Sequence, residues 1–309
     1  MRVLVTGANG YLGSAVCSAL LAADHDVIGL VRRGRNNIPA HLPLRVADIL
    51  DRVALTEALT DIDAVCHLAG LTRARDSHAE PLRYFEANTV GTLNLLRAMA
   101  SAEVRRLVFA STGSIYGTPD HGPVTEETPD APPHPYAASK HAAEAAITAQ
   151  AATGELSATI LRLFNIVGGA PTDDTGILPR LLAVAAGELP RLPINGDGST
   201  VRDYLHIRDA ADAFPAALRV DPGIYLRYNI SRGIGVSIND LVAATSRVTG
   251  LPIPVEHRDA AAESQRLIGD SARAARELGW TASSSSGIDA ILREAWTARF
   301  PERRMDSTD

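Results

Sequence analysis

Tyr136 and Lys140 stand four residues apart in Tyr136-Ala137-Ala138-Ser139-Lys140, so a helix through this segment sets a phenol and an ammonium on one face. A neighbouring cation favours phenolate, which is expected to lower the tyrosine pKa from about 10 toward working pH and let the oxygen exchange a proton with a substrate hydroxyl. The ammonium can also bond ribose hydroxyls. Of the 30 basic residues, Lys140 is the one lysine. Arginine serves wherever a generic surface cation suffices, so Lys140 either marks a place where guanidinium will not do or falls there by chance. Upstream, an apolar run at 105–110 leads into Ser111-Thr112-Gly113-Ser114-Ile115-Tyr116-Gly117. This puts hydroxyls where a parallel strand ends and where open α/β sheets bind ligands, within reach of a reacting oxygen.

A second cluster stands at the start of the chain. Gly7-Ala8-Asn9-Gly10-Tyr11-Leu12-Gly13 follows a strand-like run and opens a helix. Gly7 suits the tight turn, Gly10 lets backbone N–H groups approach a pyrophosphate, and Gly13 lets the helix sit close to the sheet. Dinucleotide sites often carry an acid at the end of the second strand, for the adenosine ribose, but here the stretch reads Val27-Ile28-Gly29-Leu30-Val31-Arg32-Arg33. Two readings stand for the pair: Arg32 and Arg33 hold a 2′-phosphate, which favours NADP over NAD, or they are solvated loop arginines. Asp48 is placed either to meet the adenine amino group or to cap the helix that follows.

The elements that must position these groups alternate along the first half of the chain. Strands are expected at 2–6, 26–31, 43–47, 63–67, 105–110 and 157–163, and helices near 11–23, 51–60, 79–101 and 135–153. That rhythm predicts an α/β fold, a Rossmann-like doubly wound parallel sheet. After residue 165 the pattern becomes irregular, with loop signals at Gly168-Gly169-Ala170-Pro171 and Asn195-Gly196-Asp197-Gly198. Residues 1–165 are therefore assigned to a dinucleotide-binding domain, 166–300 to a smaller mixed α+β substrate lobe, and 301–309 to a frayed tail. Ala137, Ala138, Ala142, Ala143, Ala145 and Ala146 give helix 135–153 a small-residue surface, suited either to ordinary packing on the sheet or to a homodimer contact with helix 79–101.

Composition narrows the classes. A chain of 309 residues with 46% hydrophobic residues can bury a sizeable core, and a formal net charge of −6 offers no general field for phosphodiester backbones, so nucleic acid is not an expected partner. Cys17 and Cys66 fall inside apolar runs and no Cys/His cluster has metal-ligand spacing, so neither a disulfide framework nor a metal site is expected. No apolar run approaches the ~20 residues that span a bilayer, and Met1 leads straight into Arg2-Val3-Leu4-Val5-Thr6 without a signal sequence. The expectation is a soluble cytoplasmic protein with no membrane partner.

These motifs resemble the extended short-chain dehydrogenase/reductase family, the NAD-dependent epimerase/dehydratase group that acts on nucleotide sugars. The resemblance covers nearly the whole chain. It rests on Gly7, Gly10 and Gly13, Asp48-Ile49, His67-Leu68-Ala69-Gly70, Asn88 followed by Gly91-Thr92, Tyr136 with Lys140, Arg162-Leu163-Phe164-Asn165, and Val201-Arg202-Asp203-Tyr204-Leu205-His206. Its cadence is closest to that of the UDP-glucose 4-epimerases. The resemblance implies that Tyr136 is the acid/base, Lys140 its electrostatic partner, Thr112 the third catalytic hydroxyl and Asn88 a support for the active-site helix. It implies that Gly7, Gly10, Tyr11, Leu12, Gly13, Arg32, Arg33, Asp48, Ile49, Leu68, Ala69 and Gly70, with Tyr136 and Lys140, line the NAD or NADP. It further implies that Thr112, Ser114, Asn165, Arg202 and Arg258 hold a nucleotide-diphosphate sugar whose base is bordered by Leu192 to Asn195. Arg258-Asp259-Ala260-Ala261 departs from the family's Arg-x-Gly-Asp rhythm, which weakens Arg258.

Two further departures bear on the reaction. Dehydratases of the family carry a carboxylate pair, or a Glu, just after the catalytic Thr, because eliminating water needs an additional acid and base. Here Gly113 and Ser114 stand there, which disfavours dehydration and the related decarboxylation. Val31-Arg32-Arg33 resembles the NADP-binding stretch of GDP-mannose 4,6-dehydratases instead of the acid-bearing one of 4-epimerases. Three functions follow: a nucleotide-sugar 4-epimerase, an NADPH-dependent 4-ketoreductase with the same triad, and, more remotely, a non-catalytic dinucleotide sensor, against which the Tyr136/Lys140 pair argues.

Overall fold

The computed structural model describes residues 1–302 apart from 35–37, 40, 120–121, 170–175, 221–222, 224 and 260–264. The tail assigned from 301 onward therefore lies mostly outside the described residues. The first six strands fall where the apolar runs predict them: β1 (Arg2–Thr6), β2 (Asp26–Val31), β3 (Leu44–Val46), β4 (Ala64–His67), β5 (Arg106–Thr112) and β6 (Ser157–Leu163). All but the edge strand β3 are largely buried because helices cover both faces, which is why they read as continuous apolar runs. Along β1, Val3 and Val5 join one core cluster and Leu4 joins the other, as the two-residue period of a strand requires.

Helix α1 (Tyr11–Ala22) packs on the first face, while α2 (Arg52–Glu57), α3 (Pro81–Phe85), α4 (Gly91–Ser101) and α5 (Pro135–Ala151) follow on the chain, with Leu55, Leu95, Met99 and Ile147 filling the second. Helix 79–101 is not one rod. A π-helical turn, Glu86–Val90, joins α3 to α4, and such turns recur at functional sites. Pro135 opens α5 with the fixed φ suited to a first helical turn, and His134 caps it by accepting from the Ala137 N–H at 3.1 Å.

The second half continues with β7 (Asn165–Val167), α6 (Ile177–Ala185), β8 (Leu192–Asn195), β9 (Val201–His206), α7 (Ile207–Arg219), β10 (Tyr225–Ile230), β11 (Gly235–Ser237), α8 (Ile238–Thr249), β12 (Val255–Arg258), β13 (Arg266–Leu267), α9 (Ala272–Leu278) and α10 (Ile288–Arg299). The main sheet has seven parallel strands in the order β10-β6-β5-β4-β1-β2-β3, the doubly wound arrangement, with its switch point between β1 and β4. A division at residue 165 does not hold, because β10 is the seventh strand of that sheet and α7 and α9 pack on its first face through Phe214, Leu218 and Leu278. The lobe consists of what lies between and after: β9 flanked by β7, β11 and β13, a separate β8–β12 pair, and a core of α6, α8 and α10 side chains. No helix among the described residues is long and apolar enough to cross a membrane.

Candidate active site

A cleft of about 670 Å³ opens at the carboxyl edge of the main sheet, over the switch point between β1 and β4. Gly7 turns at φ +68°, and a Cβ there would come within 2.9 Å of the Ala69 amide nitrogen. A Cβ at Gly13 would run into the Gly7 carbonyl, so Gly13 permits close approach of the helix to the turn itself more than to the sheet. Gly10 caps α1 without any side chain, leaving the first-turn N–H groups facing the cleft uncapped. A backbone cradle at a helix N-terminus that no Cβ can enter fits the pyrophosphate of a dinucleotide.

Most of the expected cofactor residues line this cleft: Gly7 and Gly10 to Gly13, Arg32, Asp48 and Ile49, and Leu68 to Gly70. Tyr11 directs its hydroxyl away, donating to the Gly168 carbonyl. Arg33 does not line it, and its backbone carbonyl accepts from Asn9 Nδ2 at 3.0 Å. The capping alternative for Asp48 fails: Asp51 caps α2 by accepting from Val53 and Ala54, while Asp48 accepts from Leu50 N–H at 3.0 Å.

The chemical residues meet at the other end. Thr112 ends β5 and accepts from the Ser114 N–H at 3.2 Å. Tyr136 enters from the first turn of α5 and Lys140 follows one turn on, and all four line the cleft with Asn165. Lys140 is 3% exposed. Its Nζ donates to the Ala110 carbonyl at 2.8 Å and lies 4.5 Å from the centre of the Phe109 ring. Burial lowers its pKa to about 8, against an upward pull from Glu144. The expected lowering of Tyr136 is not found. Burial pushes its phenol up to about 12, the Thr112 hydroxyl pulls it down and Tyr84 pushes it up. The ammonium spends its charge on the Ala110 carbonyl and the Phe109 ring, and desolvation prevails.

Asn88 lies outside the cleft, in the π-helical turn. It accepts from Leu71 N–H at 2.8 Å and donates to Leu71 O and Ser139 Oγ at 3.0 and 2.9 Å, tying α5 to the strand-end loop. Behind the site, Arg162 is fully buried between Glu144 and Asp130, and Ser111 donates to Glu144. Asp130, Glu144 and His141 converge closely enough to hold a metal ion, but the Arg162 guanidinium already supplies the cation between the two carboxylates.

Four residues expected at the substrate do not reach this cleft. Leu192 is buried in the lobe core, Asn195 and Arg258 are paired across the small β8–β12 sheet, and Arg202 on β9 donates to Val201 O at 2.9 Å. Arg258 makes an ion pair with Glu256 at 3.1 Å. Residues 260–264, where the family's Arg-x-Gly-Asp rhythm is missing, lie outside the described residues. Ser111, in the hydroxyl loop read from the sequence, also lines the cleft. Sequence reasoning missed Thr72, just past the His67–Gly70 motif, and gave no role to Phe164, inside the Arg162–Asn165 motif; both line the cleft, and proximity to those motifs was the available signal. It also missed His134, whose ring stacks on Tyr136 at 5.8 Å and 13°.

Residues 3–231 match the sequence model described as the NAD dependent epimerase/dehydratase family. The UDP-glucose 4-epimerase of Corynebacterium glutamicum is 36% identical over 313 residues, covering 96% of this chain and 95% of that protein. The UDP-glucose 4-epimerase of Bacillus subtilis is 33% identical over 327 residues, covering 96% of each. Among solved structures, UDP-glucose-4-epimerase from Stenotrophomonas maltophila with bound NAD and formylated UDP-arabinopyranose superposes with a TM-score of 0.90 at 32% identity, over 98% of this chain and 99% of that one.

Proposed function

Because the chain belongs to the NAD-dependent epimerase/dehydratase family, we propose that it is a 4-epimerase of a UDP-linked sugar working with a resident NAD. The observation that carries this reading is the convergence of Thr112, Tyr136 and Lys140 in the cleft floored by the glycine turn, with Gly113 and Ser114 where an elimination would need carboxylates.

Gly7, Gly10 and Gly13 with Leu68 to Gly70 would hold a dinucleotide whose nicotinamide would supply the two-electron chemistry at sugar carbon 4. Tyr136 takes the proton of the 4-hydroxyl as the carbonyl forms and gives it back after the 4-keto sugar has turned over. Thr112 shares its hydroxyl hydrogen bond with the same oxygen. Burial favours the neutral phenol in the resting site, so positive charge entering the cleft is what would free the phenolate that accepts the substrate proton. Lys140 holds the phenolate form and donates to ribose hydroxyls. Asn165 and Ser114, which line the cleft, face the sugar nucleotide, while Arg202, on β9 outside the cleft, receives no part. Arg258, Asn195 and Leu192 receive no part, because they are committed to the lobe's own packing. The partner protein is a second copy seated on helices 79–101 and 135–153, where Leu82 is 81% exposed and Val90 adds apolar surface. A monomer mass by light scattering would count against that dimer.

The test is to identify the nucleotide released when purified protein is denatured, and to supply UDP-glucose and UDP-galactose without added cofactor. Interconversion with NAD released supports the epimerase. One observation favours a second reading: Arg32 lines the adenosine end of the cleft, which suits a 2′-phosphate and hence an exchangeable NADPH. Stoichiometric NADPH consumption on a 4-keto sugar, with no C4 interconversion, would establish the 4-ketoreductase instead.

A further inference from the structure

His67 ends β4 beneath the cleft, is 1% exposed, and contributes no atom to the cleft wall. Its hydrogen bonds fix where every proton lies. Thr6 Oγ1 accepts from the Leu68 and Ala69 N–H groups at 3.1 and 3.0 Å, which fills both of its lone pairs. The single Thr6 hydroxyl proton must therefore point to His67 Nδ1, 2.7 Å away. Nδ1 is an acceptor, so Nε2 carries the ring proton and donates to Thr92 Oγ1 at 3.1 Å. Thr92 donates in turn to the Asn88 carbonyl at 2.6 Å.

The chain does not stop there. The Asn88 side chain donates to Ser139 Oγ, Ser139 donates to the Tyr136 carbonyl at 2.8 Å, and Thr89 donates to Ser139 O at 2.9 Å. One end of this series is the residue before Gly7. The other is the helical turn that presents Tyr136.

We propose that His67, held as the neutral Nε2–H tautomer, is a positioning residue that sets the distance between the dinucleotide floor and the catalytic phenol. It rests on the epimerase reading above. The ring also lies 5.5 Å from Phe109, whose face carries the Lys140 ammonium. A protonated His67 would leave Thr6 without an acceptor and set a second cation near Lys140, and the observed proton order prevents both. Because misplacement of reacting groups by a fraction of an ångström costs rate, the effect belongs in turnover and not in sugar affinity.

The test compares His67→Leu, which removes both hydrogen bonds, with His67→Gln, whose amide offers an acceptor and a donor in the same order. Expected is a fall in kcat of about tenfold or more for the leucine variant with KM for the UDP-sugar within about twofold, and recovery of most of it by glutamine. Wild-type turnover in a folded His67→Leu, or equal losses in both variants, would overturn the proposal. Imidazole NMR of isotope-labelled protein is the readout independent of activity. His67 should stay a neutral Nε2–H ring between about pH 5.5 and 8, and titration in that window would overturn the assignment. An inactive wild type would defeat the epimerase reading alone, leaving the tautomer measurement to decide the relay.

Discussion

The carboxylate of Glu144 grips the fully buried guanidinium of Arg162 at two points, Oε1 to Nε at 3.0 Å and Oε2 to Nη2 at 2.6 Å. Asp130 takes the outer edge of the same guanidinium, Tyr116 stacks on its face at 4.6 Å, and Ser111, next to Thr112, donates to Glu144. The network lies directly behind the catalytic strand end and holds β5, β6 and α5 in register. Truncating Glu144 strips the partner from Arg162 Nε and leaves Asp130 as the remaining carboxylate bonded to a fully buried guanidinium. Glu144→Ala should therefore cost roughly 3 to 5 kcal/mol in urea unfolding. A loss under 1 kcal/mol would mean that water reaches Arg162 and that the site is less enclosed than described.

Tyr136→Phe keeps the ring, its stack on His134 and its edge contact with Tyr84 while deleting the proton carrier. Dinucleotide binding should persist and turnover should fall by about a hundredfold or more. Near-normal turnover would remove Tyr136 from the chemistry.

Lys140 couples stability to pH in a direction that follows from its lowered value. The folded chain binds this proton with a pKa of about 8, against an ordinary 10.5. Between those values the unfolded state holds more proton, so stability from this group rises with pH across about 8 to 10.5, and below pH 8 the buried ammonium is a net cost. Lys140→Met should thus raise the unfolding free energy at pH 7, on the order of 2 kcal/mol, while turnover collapses. A methionine variant that is both inactive and less stable would show that the ammonium is structurally required.

Arg32 lines the cleft and Arg33 does not. Arg32→Asp should weaken NADP more than NAD and raise the NAD-to-NADP affinity ratio, whereas Arg33→Asp should leave the ratio nearly unchanged. Titration of cofactor fluorescence checks both. An unaltered ratio for Arg32→Asp would dismiss any phosphate-reading role for this end of the cleft.

The nucleotide half was legible because strands covered on both faces must be continuous apolar runs, and because a glycine turn and a Tyr/Lys pair have fixed spacings. Val3-Leu4-Val5 and Ala64-Val65-Cys66 announce themselves in this way. The second half was not, for a physical reason. Its strands are short: β13 has two residues, and β7 and β11 have three, too few to show any period. The π-helical turn was equally silent, since one added residue per turn alters no composition. The Tyr136 phenol was misjudged because charge proximity is visible in spacing while desolvation is set by packing against Tyr84, His134 and the enclosing walls, which only the fold assembles.

The return of β10 to the outer edge of β6 governs how this polypeptide comes into being. While the chain is being synthesised, six strands can assemble as soon as Leu163 emerges, yet β6 then offers an unpaired edge to any neighbouring strand. That edge is sealed only after β7 to β9 and α7 have emerged and Ile230 has been added, so the catalytic half stays exposed to mispairing while the first part of its lobe is being translated.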